Sequence, residues 1–346
     1  MSLFKKINED NSVYIIAELS ANHNGSLDVA LETIRAAKRA GADAIKLQTY
    51  TAETMTLNVK NNHFMIQQGT AWDGQYLYDL YQDAHTPWDW HDKLFKTAQE
   101  EGLDCFSSPF DLTAVDFLEK FDPPAYKIAS FEITDIPLIR YVASKGRPVI
   151  ISTGIADEED VELAIETCKN EGNNQIAILK CTSAYPALPE DANLITIPAI
   201  AEKFDVISGL SDHTLGIEAP VIAVAMGAKI IEKHFILNKE IGGPDAHFSL
   251  DEKEFTELVC AVRKAEKMLG KVDLEMTSKK KKSREFSRSL FISKDLKKGD
   301  SLTTDNVRIV RPGFGLHPKY YDQILGKKVT IDLLAGTPIT LDFIEF

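Results

Sequence analysis

The chain has 346 residues, of which 44% are hydrophobic and 26% are charged, and its formal net charge is −13. This length supports a full hydrophobic core and exceeds that of one small domain. The negative balance argues against nucleic acid as a main partner, because phosphate backbones are bound by basic surfaces. An anionic small-molecule substrate stays compatible with it, since a few lysines in a pocket can dominate the local potential.

The cysteines and the amino-terminal segment bear on the compartment. Cys105, Cys168, Cys181 and Cys260 follow no pairing or metal-binding spacing, which predicts free thiols in a reducing cytoplasm. Residues 1–12 lack the apolar stretch of a signal peptide. No apolar run reaches the roughly 18 residues that a membrane-spanning helix needs. We therefore expect a cytoplasmic protein without a membrane partner.

Apolar runs and amphipathic segments alternate along the first 270 residues. The short apolar runs predict buried parallel strands, and each is followed by a helical pattern that ends at a glycine or a polar turn. The predicted strands are residues 13–18, 43–48, 103–108, 125–130, 148–153, 175–181, 206–207 and 229–232. The predicted helices are residues 27–41, 87–102, 112–120, 137–146, 157–170, 195–204, 219–226 and 251–269.

Eight such units predict an α/β protein with a (β/α)₈ TIM barrel, which typically has about 250 residues. An open doubly wound sheet is the alternative. That fold rarely needs eight units and usually carries a glycine fingerprint for dinucleotides, which the sequence lacks. Residues 49–86 make one connection too long for an ordinary loop, and we expect this insertion to cover the substrate.

The residue pattern of the sequence changes after residue 270. The basic run Thr277–Arg284 predicts a solvated linker. Beyond Arg288, the short β-like runs SLFIS, VRIVRP, KKVTIDL and TPITL alternate with turn signals, which predicts a small, mostly β domain of about 60 residues. The predicted organisation is a barrel at residues 1–270, a linker at 271–287 and a second domain at 288–346.

Two histidines follow neighbouring strands near the end of the predicted barrel. His213 comes after the seventh strand and His234 after the eighth. Because the carboxyl ends of neighbouring parallel strands lie side by side, both imidazoles are expected at the mouth where ligands bind. Such a pair suits a divalent metal with open coordination positions, which acts as a Lewis acid. The alternative is one loop histidine and one histidine bonded to a backbone carbonyl.

The other predicted strands also end in polar side chains, where apolar residues or turn formers are usual. Lysines and serine hydroxyls together make a cradle for phosphate and carboxylate groups, and a nearby carboxylate can move protons or orient water. The pattern predicts an anionic, phosphorylated substrate beside a metal. The polar groups, from the first strand to the eighth, are Glu18, Asn22, Lys46, Gln48, Ser107, Ser108, Lys127, Ser130, Glu132, Ser152, Thr153, Lys180, Thr182, Ser183, Tyr185, Ser211, Asp212, Glu232 and Asp245.

Eight short motifs carry a resemblance to a known family. They are AELSANH at residues 17–23, KLQ at 46–48, SPF at 108–110, YKIAS at 126–130, STG at 152–154, GLSDH at 209–213, EKHF at 232–235 and RPG at 311–313. In combination they resemble the sialic acid synthases, metal-dependent barrels that condense phosphoenolpyruvate with an amino sugar. The resemblance covers nearly the whole chain, and the carboxy-terminal part is similar to the antifreeze-like (SAF) domain of that family.

Further motifs resemble the branch of the family that makes pseudaminic acid. They include Trp72-Asp73-Gly74 in the insertion and Gly315-Leu316-His317-Pro318 in the second domain. Ser183 stands where the sialic acid branch commonly has asparagine. The implied reaction joins phosphoenolpyruvate, 2,4-diacetamido-2,4,6-trideoxy-L-altrose and water, and gives pseudaminic acid and phosphate by C–O cleavage.

The resemblance also implies roles for individual residues. His213 and His234 would hold a divalent metal, Mn²⁺ first and Mg²⁺ or Co²⁺ as alternatives, that binds the sugar aldehyde. The candidate catalytic residues are Glu18, Glu132 and Asp245, with Glu132 placed to orient the water that attacks C2. The phosphoenolpyruvate ligands would be Lys46, Lys127, Ser130, Ser152, Ser183 and Ser211. The sugar contacts would be Glu18, Gln48, Tyr185, Asp245 and, in a domain-swapped homodimer, Arg311 of the partner subunit.

Three other functions stay open at this point. A synthase for N-acetylneuraminate or legionaminate would differ only in the amino sugar. A non-catalytic sugar-binding barrel belongs to another class, and the two histidines argue against it because such a module needs no open metal site. A metal hydrolase could use the same histidines, but it would need a further carboxylate or histidine ligand and no paired lysines.

Overall fold

The structure is a computed structural model that describes Leu3, Ile7, residues 12–67 and residues 72–345. It divides into two compact units, Met1–Gly270 and Lys271–Phe346. The expectation for residues 1–12 falls largely outside the described residues, as does the part of the insertion at residues 68–71. No helix in the described part of the chain is both long and apolar enough to cross a membrane.

The first unit is a closed barrel of eight parallel strands that follow one another around the barrel in chain order. The strands are β1 (Tyr14–Glu18), β2 (Ala44–Thr49), β3 (Asp104–Pro109), β4 (Tyr126–Ile128), β5 (Val149–Ser152), β6 (Ile176–Cys181), β7 (Ile207–Asp212) and β8 (Ile230–His234). The barrel closes where β1 pairs with β8 and Glu18 lies opposite His234. The predicted (β/α)₈ barrel is therefore confirmed.

Helices lie between the strands, and several begin and end at the expected signals. Asp251 caps one helix by accepting a hydrogen bond from Glu254 N at 2.9 Å. Gly102 ends another with a φ of 68°, a left-handed conformation that favours glycine. The helices are α1 (Leu27–Arg39), α2 (Ala52–Met55), α3 (Leu77–Ala84), α4 (His91–Glu101), α5 (Leu112–Leu118), α6 (Ile136–Ser144), α7 (Glu158–Asn170), α8 (Thr196–Phe204), α9 (Glu218–Ala225) and α10 (Glu252–Leu269).

The interior of the barrel holds an apolar layer that sets the position of the polar strand ends. Ile16, Ala44 and Ile230 belong to this layer. Residues two apart on a strand face the same side, so the next inward residues on β1, β2 and β8 are polar ones at the carboxyl end. Gly209 lets β7 approach β8 closely, because a Cβ at this position would collide with the carbonyl oxygen of Ile230.

Parts of the first unit differ from the prediction. β7 continues through Asp212, although only residues 206–207 were expected in the strand, because Gly209 and Ser211 concealed its apolar pattern. The insertion at residues 49–86 is not a plain loop, since it contains α2 and α3. Single 3₁₀ turns add to the regular structure at Asn62–Phe64, Trp88–Trp90, Glu119–Phe121, Ser130–Glu132, Pro189–Asp191 and Lys239–Ile241.

The second unit is small and built from short strands and turns. Its elements are α11 (Ser278–Arg284), β9 (Ser289–Ile292), β10 (Val307–Val310), α12 (Tyr321–Ile324), β11 (Lys328–Val329) and β12 (Ile344–Glu345), with 3₁₀ turns at Pro318–Tyr320 and Leu341–Phe343. β9 pairs with β10 and β11 with β12, both antiparallel. The predicted linker is exposed but helical at α11. In place of the expected strand, the TPITL run forms a bridge between Pro338 and Phe291 and backbone hydrogen bonds to β9.

Candidate active site

A cavity of about 410 Å³ opens at the carboxyl end of the barrel. The catalytic, phosphoenolpyruvate-binding and metal residues predicted from the sequence all line it, and so do Gln48 and Tyr185. They are Glu18, Lys46, Gln48, Lys127, Ser130, Glu132, Ser152, Ser183, Tyr185, Ser211, His213, His234 and Asp245. The structure therefore brings one set of polar side chains from seven strands to one place.

Four charged side chains, which we name the charged floor, form the deepest part of this polar set: Glu18, Lys46, Lys127 and Glu232. Each is at most 4% exposed. Lys46 Nζ lies 3.0 Å from Glu18 Oε1 and 2.8 Å from Glu232 Oε1, and Lys127 Nζ lies 3.7 Å from Glu232 Oε1. Two cations thus meet two carboxylates in a desolvated site, where such pairing offsets part of the cost of burial.

Burial and pairing set the protonation of the charged floor. Burial would raise the pKa of Glu18, but His234 and Lys46 outweigh it and hold that pKa below its ordinary value. Burial would lower the pKa of Lys46, yet its two carboxylate neighbours raise it. For Lys127 burial prevails and the pKa is lowered, because its nearest carboxylate is more distant. Lys46 is therefore firmly cationic.

Serine hydroxyls surround the lysines. Lys127 Nζ donates to Ser152 Oγ at 2.7 Å, and Ser211 Oγ donates to Glu232 Oε1 at 3.0 Å. The hydroxyls of Ser130 and Ser183 are hydrogen bonded to each other. They meet above Gly154, where a Cβ would collide with both and would have to displace them. Hydroxyls and ammonium groups arranged in this way can donate to a phosphate or a carboxylate.

The two histidines predicted to hold a metal are neighbours, with ring centroids 5.3 Å apart. His213 Nδ1 lies 3.0 Å from Thr182 O, which orients the ring and leaves Nε2 as the lone-pair donor. His234 Nε2 lies 3.3 Å from Glu18 Oε2. Its Nδ1 is buried, has no hydrogen-bond partner in the described part of the chain, and lies 3.8 Å from Asp245 Oδ2.

These residues fit a divalent cation. Burial lowers the pKa of His234, which favours the neutral imidazole that metals require. The buried Nδ1 has no hydrogen-bond partner among the described residues, so it is available as a metal ligand. Residues 12–67 and 72–345 contain no group of three or more His, Cys, Asp or Glu side chains arranged to hold a metal. A cation held by the histidine pair alone would have open coordination positions.

Glu132 stands apart from the charged floor on the 3₁₀ turn that follows β4. Its Oε2 is buried and has no hydrogen-bond partner among the described residues. Burial raises the pKa of Glu132 to about 7, although Lys127 partly opposes this. A carboxyl group with a pKa near neutrality, aimed into a cavity, is suited to exchange a proton with water.

The predicted sugar contacts lie on the side of the histidines. Gln48 Nε2 donates to Glu18 Oε1 at 3.3 Å. Asp245 Oδ2 accepts from Ala21 N at 3.3 Å, which ties the loop after β8 to the end of β1. The Tyr185 ring lies 4.4 Å from that of His213, between centroids. These groups offer hydroxyl donors and acceptors next to the histidine pair.

One wall of the cavity is apolar and comes from the insertion. We name this set the insertion wall: Met55, Met65, Ile66, Leu77 and Leu80. Ile66 N donates to Gln75 O at 2.9 Å, and this bond holds these two parts of the insertion together. The prediction of a covering segment gave no residues for this wall. Its apolar positions have no periodic signal in the sequence, because they come from a turn, a helix end and a bridge.

Some predicted groups lie elsewhere. Ser107 Oγ is hydrogen bonded to Thr49 Oγ1 at 2.7 Å, between the barrel strands and the surrounding helices. Lys180 lines a separate cavity beside α7 and α8. Arg311 is exposed and follows β10 in the second unit. Glu232 was noted at its strand end but was given no role. Its place two residues before His234 put it on the same inward face, which is the signal that could have assigned it.

Comparison with known proteins agrees with this geometry. A NeuB family model matches residues 33–273, and a SAF domain model matches residues 287–345. The chain is 54% identical over 329 residues to the pseudaminic acid synthase of Campylobacter jejuni (strain 81-176), covering 95% of this chain and 96% of that protein. It is 37% identical over 337 residues to the N,N'-diacetyllegionaminic acid synthase of Legionella pneumophila, covering 96% and 94%.

A solved structure extends the comparison to the fold. The spore coat polysaccharide biosynthesis protein spsE of Bacillus subtilis superposes with a TM-score of 0.65 at 36% identity, covering 97% of this chain and 96% of that one. The similarity in sequence and in structure thus spans the barrel and the second unit. The chain belongs to the NeuB family, that of the sialic acid synthases, and it carries a SAF domain.

Proposed function

We propose that the protein is a pseudaminic acid synthase, which condenses phosphoenolpyruvate with 2,4-diacetamido-2,4,6-trideoxy-L-altrose and water and releases phosphate. The observation that carries this proposal is the 54% identity over nearly the full length to a pseudaminic acid synthase. The similarity to a legionaminic acid synthase is lower, at 37%. The legionaminate and N-acetylneuraminate reactions use the same chemistry on another sugar and are the alternatives that the experiment must separate.

Phosphoenolpyruvate would bind at the charged floor. Its phosphate and carboxylate are strong acceptors, and Lys46, Lys127 and the surrounding serine hydroxyls are the donors nearest to the base of the cavity. Glu18 and Glu232 already pair with these lysines. The ligand therefore enters a site with donors held in place, and little rearrangement is needed before reaction.

The metal would be held by His213 and His234. When bound, a divalent cation such as Mn²⁺ supplies Lewis-acid polarisation to the aldehyde of the open-chain sugar. Glu18, Gln48 and Asp245 lie around the histidine pair, where they would accept from the sugar hydroxyls and orient the aldehyde carbon toward C3 of phosphoenolpyruvate. That alignment brings the two carbons together as a near-attack pair.

The chemical steps balance with one water molecule. C3 of phosphoenolpyruvate forms the new C–C bond to the aldehyde carbon, the electron pair of the C=O bond moves to the aldehyde oxygen, which takes up a proton, and positive charge develops at C2. Water adds to C2, and its proton passes to Glu132, whose buried oxygen has no partner among the described residues. The tetrahedral intermediate then breaks the bond between C2 and the bridging oxygen, so that phosphate leaves with that oxygen. The hydroxyl on C2 gives its proton to the departing phosphate, and C2 becomes the ketone of the product.

We further propose a cytoplasmic, domain-swapped homodimer in which Arg311 of the partner subunit contacts an N-acetyl group. The exposure of Arg311 on the second unit is compatible with this role. The compartment is supported by four free cysteines, of which three are buried, since free thiols are usual in reducing compartments.

The proposed function is tested by phosphate release from phosphoenolpyruvate in the presence of Mn²⁺, with the altrose derivative and N-acetylmannosamine compared, each with and without chelator. Release with the altrose derivative alone, abolished by chelator and restored by Mn²⁺, is the expected result. Release with N-acetylmannosamine would move the protein to the sialic acid branch. Absence of release with either sugar would contradict both of these reactions and leave a legionaminate synthase or a sugar-binding module.

A further inference from the structure

A buried ion pair joins the two strands that carry the histidines. Lys233 on β8 pairs with Asp212 on β7, and the two residues lie directly opposite each other in the strand register. Lys233 is 1% exposed and Asp212 is 4% exposed. Neither side chain lines the cavity, so this pair is separate from the charged floor and no step proposed above uses it.

The ion pair also holds the loop that contains His213. Asp212 Oδ1 accepts from Thr214 N at 3.0 Å and from Thr214 Oγ1 at 2.8 Å. Lys233 Nζ donates to Thr214 O at 2.6 Å in addition to its bond with Asp212. Asp212 and Thr214, which flank His213, are therefore bonded to each other and to Lys233. Lys233 in turn immediately precedes His234.

The positions of Lys233 and Asp212 make the pair unusual for this barrel. Alternation along the strands turns them away from Glu232, His234 and Ser211, outward to the helical coat. Outward positions nearer the middle of other strands are apolar and belong to the core between sheet and helices, as for Ile45, Ile151 and Ile178. Two apolar side chains could fill these positions without the cost of desolvating two charges. What the ion pair adds is a set of directional bonds.

We propose that Lys233 and Asp212 are positioning residues that fix the spacing and orientation of His213 and His234 for a shared divalent cation. This inference rests on the metal site of the proposed function. The pair clamps β7 to β8 one residue before each histidine, and through Thr214 it also fixes the residue after His213. Removing a group that orients a metal ligand typically weakens metal binding by about 10- to 100-fold.

The test measures Mn²⁺ binding to the full-length protein without substrates, by electron paramagnetic resonance of free Mn²⁺, together with thermal unfolding. We compare K233M with the double variant K233M/D212L. K233M is expected to unfold at lower temperature, because it leaves Asp212 buried without its partner, and to bind Mn²⁺ at least about tenfold more weakly. In the double variant the unfolding temperature recovers, whereas the Mn²⁺ affinity stays at least about tenfold weaker.

Two further variants keep the test decisive. T214V preserves the ion pair and the fold but removes one bond to Asp212, and a several-fold loss of Mn²⁺ affinity is expected. R147M breaks a different ion pair, with Glu119 at 2.8 Å just before β5, and should reduce stability without changing Mn²⁺ affinity. In steady state, K233M/D212L should need more Mn²⁺ for half-maximal rate while the KM for phosphoenolpyruvate stays within about twofold.

Wild-type Mn²⁺ affinity in both K233M/D212L and T214V would overturn the positioning role and leave the pair a structural contact. Equal losses in R147M would also overturn it, because the effect would then follow stability alone. If the wild-type protein binds no Mn²⁺, the metal site of the proposed function fails, and this result is distinct from a failure of the pair.

Discussion

The cavity has two sides of opposite character, the charged floor and the insertion wall. Every floor residue is at most 4% exposed and is bonded to another floor residue or to a serine. The insertion wall consists of half-buried apolar side chains, and α3, which supplies two of them, has no buried residue. The floor residues belong to the barrel strands, whereas the wall residues belong to the insertion at residues 49–86.

This difference separates the two tasks of the site. Donors fixed in a desolvated floor suit the shared substrate, since a preorganised polar site pays little to reorganise during reaction. An apolar wall on a connection outside the barrel can change without disturbing the core. We therefore expect changes in the floor to affect turnover with any sugar and changes in the wall to affect the choice of sugar.

The largest effect is expected for Lys127→Met. The change removes a donor to phosphoenolpyruvate and leaves Glu232 with one cation fewer, and breaking a buried pair of this kind costs about 3–5 kcal/mol. We expect kcat/KM for phosphoenolpyruvate, measured with the altrose derivative, to fall roughly 10³-fold. The matched control is Lys180→Met on β6, whose lysine lines the other cavity. An equal loss in the control would contradict a specific role for the floor.

Glu132→Gln should have the next largest effect, roughly 10²-fold on kcat. The pKa of Glu132 is raised to about 7 by burial, and a base acts only when deprotonated. The wild-type rate should therefore increase as the pH rises through about 7 and level off above it, and the variant should lose this limb. Rate profiles between pH 5.5 and 8.5 measure this. An unchanged acid limb in Glu132→Gln would exclude this carboxylate as the base.

A smaller effect, on selectivity, is expected for Met65→Gln in the insertion wall. The altrose derivative carries a methyl group at C6, and apolar surface favours a methyl group over a hydroxyl by about tenfold or more. The kcat/KM for the altrose derivative should fall by about tenfold, whereas phosphate release with N-acetylmannosamine should not fall. Leu57→Gln is the control, since Leu57 lies on the same insertion but is 64% exposed. A similar fall in the control would contradict the wall's role.

The smallest effect should follow Ser183→Ala. The Ser183 hydroxyl bonds to Ser130, and one neutral hydrogen bond contributes about 1 kcal/mol. The KM for phosphoenolpyruvate should rise about fivefold while kcat changes little. Initial rates over a range of phosphoenolpyruvate concentrations measure this shift, and a loss as large as that of Lys127→Met would place Ser183 in the floor itself.

Sequence reasoning predicted the barrel and gathered the correct strand ends, because buried parallel strands that end in charged groups are distinctive. It could not tell inward from outward residues wherever the strand bounds were uncertain. Ser107 and Lys180 were grouped with the site for this reason, and the Lys233–Asp212 pair received no role. The insertion wall depends on how residues 49–86 fold back over the barrel, which no local periodicity records. Arg311 concerns a second subunit, and its role stays a prediction.

The proposed reaction and its choice of sugar can be measured together with phosphoenolpyruvate labelled with ¹⁸O at the bridging oxygen and an equimolar mixture of the altrose derivative and N-acetylmannosamine. Mass spectrometry of both products reports the bond that breaks and the sugar that is chosen. We expect the label in phosphate and pseudaminic acid as the only sugar acid formed. Unlabelled phosphate, or N-acetylneuraminate as the main product, would contradict this expectation.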